Sequence, residues 1–448
     1  MKPETEILVL GAGYVGLTTA VCLAWLGHRV TCYDHDPDLI ADLTAGESPL
    51  DEPDLARMLG ESLASSKLHF TDHLTTVHKA RFTMMCLPTP PREDGSADLT
   101  AIDTTTRQLR NEFAADSILI IRSTVPIGTN HHVRQLLDRD DVAVVSNPEF
   151  LREGHAIYDF LHPTRIVLGS DDRNAAQQVQ ALFESIKTEI IATTPTTAEF
   201  AKYSANAYLA TRLSYVNALA RLADSLNADI DDATRILGAD PRIGSEYLSP
   251  GPGWGGPCLP KDIRALAVQS RHAGVEFALL DAAIADNLNH QHYIVDRIRN
   301  QLHGLTDRRI GVLGLTFKSG TCDRRESPAE TIARLLASEG AILLAHDPTV
   351  TPDTSRPNFP QSVETPYDAA LGSDAILVLT EWNQYNWLDW HRIATNMNGR
   401  LIFDARGYID RTAVRSARLC YVGIGRPSSA GDRMTNGGDL AGSEQHQH

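Results

Sequence analysis

At 448 residues the chain exceeds what one hydrophobic core usually supports, and its 42% hydrophobic content is enough to fold two or three domains. A formal net charge of -16, from 41 basic and 57 acidic residues, argues against a general nucleic-acid or acidic-membrane surface and makes any phosphate site local. The six cysteines, at 22, 32, 86, 258, 322 and 420, show neither a CxxC pair nor metal-ligand spacing; no apolar run approaches the ~20 residues of a membrane span, and the N-terminus lacks a signal-peptide layout. A cytoplasmic protein with reduced thiols, no metal site and no nucleic-acid or membrane partner is expected.

The first elements alternate short apolar runs with longer helical patterns: ILVL at 7–10, RVTCY at 29–33, FTMMCL at 82–87, ILII at 118–121 and VAVV at 142–145. Alternation of this kind predicts a doubly wound parallel sheet. RIVLG from Arg165 and EIIA from Glu189 prolong it, which places the first domain at 1–196. Within it, Gly11-Ala12-Gly13-Tyr14-Val15-Gly16 follows a strand and opens a helix over 14–26, so the backbone can approach a pyrophosphate at a helix N-terminus. Asp34, at the end of the next strand, suits the two ribose hydroxyls and repels a 2'-phosphate, favouring NAD over NADP, while FAD stays open on these residues alone. Pro88-Thr89 and Ser123-Thr124 follow the third and fourth strands, where parallel sheets place ligands, although each also reads as a plain loop. Asn147-Pro-Glu149-Phe-Leu-Arg-Glu153 supplies two carboxylates four residues apart, either a base for water or a charge pair with Arg152.

Helical spacing then runs from 198 to about 227 and from about 276 to 302, with a Gly/Pro-rich loop between, giving a central helical domain at 197–303. Lys202 and Asn206 are i, i+4 on one helix face, fit either to share an oxyanion or to lie solvated. The loop from Pro250 runs through Gly255 and Pro257 to Cys258-Leu-Pro-Lys261-Asp262 and straight into a helical pattern. A thiol at that helix start, beside Lys261, is favoured as thiolate; the bland alternative is a small buried hydrophobe. A second β-rich series follows, RIGVLGL from Arg309, AILLAHD, AILVLT, LIFDAR and RLCYVG, predicting another α/β domain at 304–426. The polar remainder, 427–448, is expected to be disordered.

These blocks in this order, GAGYVG, LPTP from Leu87, STVPIGT, NPEFLREG, the Lys202–Asn206 pair, DPRIG from Asp240, GGPCLPKD, GLTFKSGTCDRRES from Gly314 and LTEW from Leu379, resemble the UDP-glucose/GDP-mannose dehydrogenase family over residues 5–426. The resemblance implies two Rossmann-like domains, for NAD and for a nucleotide sugar, joined by a central helical region that forms a homodimer. It implies a four-electron oxidation of UDP-glucose to UDP-glucuronate through a Cys258 thiohemiacetal and thioester. Lys202 and Asn206 would hold the oxyanion, Asp262 and Thr124 would position water, and Glu153 would act as base beside Glu149. It further implies that Arg242 reaches substrate across the dimer, that Tyr247, Gly255, Lys318 and Arg406 hold the nucleotide sugar, and that Arg325 lies near NAD. Pro257 stands where the family's motif usually has Ser, Leu259 where its glucose enzymes usually have Phe, and Ala218 where many bacterial members have Glu. GDP-mannose, another UDP- or TDP-hexose, and a binding protein without turnover stay open as alternatives.

Overall fold

The computed structural model describes residues 5–74, 80–350 and 360–427, so the tail expected to be disordered lies, from 428 onward, outside the described residues. The chain divides into two compact units, one of Met1–Thr211, Pro257–Ile284 and Gly320–Cys322, the other of Arg212–Gly256, Ala285–Ser319 and Asp323–His448.

Among the described residues of the first unit eight strands, β1 (Glu6–Leu10), β2 (Arg29–Tyr33), β3 (Leu68–Thr71), β4 (Phe82–Met85), β5 (Ile118–Ile121), β6 (Ala143–Ser146), β7 (Arg165–Gly169) and β8 (Glu189–Thr193), pair in the order 3-2-1-4-5-6-7-8. The central strands β1, β4 and β5 read as continuous apolar runs because both faces are covered. Alternate residues of one strand enter different cores: Ile7 and Val9 join Leu17, Val21, Ile118 and Ile120, whereas Leu8 and Leu10 join Leu119, Ile121 and Val144. The helix Tyr14–Trp25 is buried from Gly16 to Ala24, which explains its lack of a polar face. The sheet is not parallel throughout: β6 meets β7 antiparallel at Ser146 and Gly169, while β7 and β8 are parallel to each other. β3 had no strong sequence signal, since LHFT is short and only Leu68 is buried.

Among the described residues the second unit holds six parallel strands, β9 (Arg309–Leu313), β10 (Ile342–His346), β11 (Gln361–Ser362), β12 (Ala375–Val378), β13 (Leu401–Asp404) and β14 (Cys420–Gly423), in the order 11-10-9-12-13-14. Its two cores again split alternate residues, Ile310 and Val312 on one face against Leu313, Ile376 and Val378 on the other. The predicted pair of Rossmann-like sheets is therefore present, and the central helices are Pro195–Leu226, Ile230–Gly238, Leu259–His272 and Ala278–Leu302.

Candidate active site

The helix Leu259–His272 starts where Cys258 is its N-cap and Pro260 occupies the first turn, a position where a missing N–H costs nothing. Cys258 C=O accepts the Asp262 amide at 3.0 Å, so Asp262 stands one turn above the thiol. Asp262 is 1% exposed, and its two carboxylate oxygens take Asn206 Nδ2 at 2.6 Å and Lys261 Nζ at 2.5 Å. Lys202, buried one turn before Asn206, donates to Glu149 Oε1 at 3.2 Å and lies 5.2 Å from the Phe150 ring centre. Glu149 Oε2 in turn accepts the Leu151 amide at 2.6 Å. Removing Glu149 would leave a buried ammonium without its carboxylate, a loss of about 3–5 kcal/mol.

Electrostatics correct one expectation. Burial pushes the Cys258 thiol up to about 11, Lys202 pulls it down, and Glu149 and Asp262 push it up again, with Lys261 the smallest influence. The residue surface is open to solvent, yet the thiol's own surroundings are dense enough for desolvation to win. Lys261 is committed to Asp262, so the activating cation is Lys202 rather than the neighbour in sequence. Burial also works against the Lys202 ammonium, but Glu149, Asp262 and Cys258 together hold its pKa above the ordinary lysine value. Lys202 is thus a dependable cation beside a thiol that needs one.

Glu153 Oε1 accepts the Thr321 hydroxyl at 2.6 Å. Its loop is held by Glu52, whose carboxylate receives the amides of Gly154 at 2.5 Å and Ala156 at 2.9 Å and the Tyr14 hydroxyl at 2.6 Å. Tyr14 also reaches Arg152 C=O at 3.2 Å, so the first residue of the glycine-loop helix touches the segment carrying Glu153. Thr124 C=O accepts the Thr89 hydroxyl at 2.8 Å, and Ser123 Oγ donates to Leu87 C=O at 2.7 Å, which ties together the loops after β4 and β5. Pro88 is exposed beside them. Arg122, buried behind this loop, donates to Thr19 and to Asn147 Oδ1 at 2.7 Å.

The glycine loop fits a dinucleotide. Gly16 admits no side chain, because a Cβ there would stand 1.8 Å from Gly11 C=O, whereas a Cβ on Gly13 would meet nothing within 4 Å. Gly13 caps the helix with no side-chain bond, so the first turn, including half-buried Val15, presents amides to open space. Asp34 follows β2 and takes the Ala12 amide at 2.7 Å.

In the second unit Gly255 is as constrained as Gly16: its Cβ would approach Glu326 C=O to 2.1 Å. Arg406 Nε donates to Leu379 C=O at 3.0 Å and pairs with Glu381, while Nη2 reaches Phe317 C=O at 2.9 Å. Lys318 Nζ lies 5.6 Å from the Phe317 ring centre, and Tyr247 is half-buried with a left-handed backbone. Arg242 forks Asp240 and is 87% exposed, and Arg325 forks Asp323. The residues gathered around Cys258 are therefore Lys202, Asn206, Asp262 and Glu149; those that sequence reasoning missed are Glu52, Thr321 and two more loop-holding side chains, Glu199 and Gln269.

Three family models match in succession: the UDP-glucose/GDP-mannose dehydrogenase family NAD binding domain over residues 5–187, its central domain over 196–289 and its UDP binding domain over 311–411. The chain is 37% identical to UDP-glucose 6-dehydrogenase YwqF of Bacillus subtilis, the match covering 94% of this chain and 98% of the relative. Among solved structures, a UDP-glucose dehydrogenase from Pyrobaculum islandicum superposes with a TM-score of 0.86 at 34% identity, over 94% of this chain and 98% of the other. A UDP-D-ManNAc dehydrogenase from Pyrococcus horikoshii gives the same TM-score at 28% identity, over 96% and 100%. Equal superposition on enzymes named for different sugars means that the fold carries the family and not the sugar. The chain belongs to the UDP-glucose/GDP-mannose dehydrogenase family.

Proposed function

We propose that the protein oxidises UDP-glucose to UDP-glucuronate with NAD, in two successive two-electron steps on C6. The observation that carries this reading is the assembly of Cys258, Lys202, Asn206, Asp262 and Glu149 within one compact unit that also contains the NAD-binding domain. Bound NAD accepts the hydride at each oxidation, and two are consumed per sugar. An aldehyde cannot lose hydride until a nucleophile adds to it; the Cys258 thiolate adds to its carbon and gives a thiohemiacetal. Loss of hydride from that adduct leaves a thioester. Water held by Thr124 and Asp262 loses a proton to Glu153 and attacks, the carboxylate departs, and the Cys258 thiolate is regenerated.

An ammonium has three donors and an amide two, so neither Lys202 nor Asn206 is exhausted by its carboxylate, and both can hold the oxygen that becomes anionic at each tetrahedral stage. The glycine loop with Asp34 would hold the dinucleotide, Ser123, Thr89, Pro88 and Arg325 completing that side. Tyr247, Gly255, Lys318 and Arg406 would hold the nucleotide sugar. A homodimer is supported by exposed apolar residues along the Pro195–Leu226 helix, Phe200, Tyr208, Tyr215, Leu222 and Leu226, and exposed Arg242 would then serve the partner subunit's site. Among the described residues no helix is long and apolar enough to cross a membrane, and all six cysteines are free, which supports a cytoplasmic location.

The test is purified protein with NAD and each nucleotide sugar in turn. UDP-glucose is expected to yield two NADH per molecule oxidised; no NADH from UDP-glucose with two equivalents from GDP-mannose or a UDP-N-acetylhexosamine would overturn the substrate assignment.

A further inference from the structure

The loop 123–128, which carries Thr124, is gripped through its backbone from two directions. Glu199 lies on the Pro195–Leu226 helix three residues before Lys202 and seven before Asn206, and so on the same helix face. Its carboxylate takes the amides of Gly128 and Asn130, each at 2.7 Å. Those amides are at the N-terminal turn of the helix Thr129–Leu137, where Gly128 is the cap and offers no side chain of its own. On the Leu259–His272 helix, Gln269 lies seven residues after Asp262 and also shares its face. Its amide makes a reciprocal pair with Ile127, taking the Ile127 N–H at 3.2 Å and giving to the Ile127 C=O at 3.3 Å.

We infer that Glu199 and Gln269 are positioning residues for thioester hydrolysis: each ties the Thr124 loop to one of the two helices that carry the catalytic side chains. The inference rests on the reading above that Thr124 helps hold the attacking water. One helix presents Glu199, Lys202 and Asn206, the other Cys258, Asp262 and Gln269. The same two rigid elements therefore set the oxyanion donors, the nucleophile and the height of the loop. A backbone clamp of this kind specifies where a threonine side chain stands without touching it. Burial pushes the Glu199 carboxyl up to about 7 while the Gly128 and Asn130 amides oppose that rise, as expected of a buried acceptor whose role is to receive N–H groups. Both carboxylate oxygens of Glu199 and both polar atoms of the Gln269 amide are thus engaged by backbone groups of this segment.

A displaced loop should slow water attack more than the two oxidations that precede it, and displacement near 1 Å is enough to cost one to two orders of magnitude. Gln269→Leu keeps helix propensity and volume while removing both bonds. With saturating UDP-glucose and NAD, rapid mixing of the Gln269→Leu protein is expected to give the wild-type burst of two NADH per active site, followed by a steady rate about tenfold slower. Intact mass should show a larger fraction of enzyme carrying the uronyl thioester, with kcat/KM for both substrates within about twofold of wild type, so that KM falls as kcat does. Glu199→Ala should behave likewise, and Glu199→Gln, which keeps one carbonyl acceptor, should recover part of the lost rate. Should Glu199→Ala fail to fold, Gln269→Leu alone decides. Thr124→Ala is the reference. If it accumulates thioester while Gln269→Leu does not, the clamp is wrong and the reading of Thr124 survives; if Thr124→Ala itself accumulates none, the reading of Thr124 fails and the clamp falls with it. A loss of burst amplitude in proportion to rate would mark Gln269 as merely structural and would also overturn the inference.

Discussion

The two sheets begin with the same local geometry and then use it differently. After β1, Gly11 has φ +94° and its amide reaches Tyr33 C=O at 2.7 Å; after β9, Gly314 has φ +94° and its amide reaches His346 C=O at 2.8 Å. The next amide, of Ala12 or Leu315, is taken at 2.7 Å by an aspartate one residue beyond the neighbouring strand, Asp34 or Asp347. From there the units diverge. In the first, a helix starts at Tyr14 and points its free amides at open space; in the second the chain continues to Ser327 before the helix Pro328–Ser338 begins. Asp347 is buried and also receives the Thr316 amide and hydroxyl, the Trp382 indole and Thr349, whereas half-buried Asp34 is shared with His35 and the Asp36 amide. One aspartate keeps an edge for a ligand; the other is consumed in holding its own turn. A shared topology therefore does not imply a shared task, and the residues of the proposed chemistry lie in the first unit.

The severest challenge to that division is Cys258→Ala, which should lower NADH production from UDP-glucose on the order of 10³-fold while leaving nucleotide-sugar binding intact. Calorimetric titration alongside steady-state assays would check it, and near-normal turnover would relocate the chemistry. The thiol's titration gives the same comparison a pH axis. With the neutral form favoured below about 11, the thiolate fraction rises with pH, so alkylation of Cys258 by iodoacetamide should accelerate about tenfold per pH unit between 7 and 9. Lys202→Met removes the cation that lowers the pKa and should slow alkylation at any fixed pH in that window; a faster reaction would contradict the assignment of Lys202 as the activating charge.

Next in size is Asp347→Ala. Buried donors from Leu315, Thr316 and Trp382 would lose their acceptor, and at about 1–3 kcal/mol for each unsatisfied group the second unit should lose at least about 3 kcal/mol, read as an earlier calorimetric unfolding transition. Asp34→Ala removes the bond to Ala12 and those to exposed His35 and the exposed Asp36 amide, which water can replace, and should cost only about 1 kcal/mol of stability. Its larger consequence should be a KM for NAD raised roughly tenfold, with NADP newly tolerated once the carboxylate that repels a 2'-phosphate is gone. Equal destabilisation by the two substitutions would erase the distinction.

How far this was readable in advance depended on the distance between partners. The glycine loop, its acidic partner and the Cys258 helix start are local patterns, and the structure places them as their spacing predicts. The strand runs were legible for the same reason, except for β3, where only Leu68 is buried, for the two-residue β11, too short to show a period, and for the reversal between β6 and β7, which no local pattern encodes. The surroundings of Cys258 were another matter. Lys261 was conspicuous because it is adjacent, yet the effective cation is Lys202, and Asn206 meets Asp262 across 56 residues of sequence. Glu52 meets Gly154 across 102 residues and Glu199 meets Gly128 across 71. A lone buried glutamate carries no signature until the backbone amides that it serves have been folded against it.

Gly13→Ala should disturb the fold least and so sharpens the contrast most finely. The backbone at Gly13, φ -71° and ψ -167°, is open to alanine without strain, and the new Cβ meets no atom within 4 Å. Two small effects oppose each other: alanine is a poorer N-cap than glycine by up to about 1 kcal/mol, while losing glycine's freedom in the unfolded chain returns about 0.4–1 kcal/mol. Their near cancellation predicts a melting temperature within a few degrees of wild type. Gly16→Ala in the same loop has no such latitude, because its Cβ would overlap Gly11 C=O, and it should unfold the first unit at markedly lower temperature. The space that makes Gly13→Ala harmless to the fold is the space in front of the helix amides, so KM for NAD should rise while the fold holds. An unchanged KM would mean that the opening beside Gly13 is not where the pyrophosphate lies.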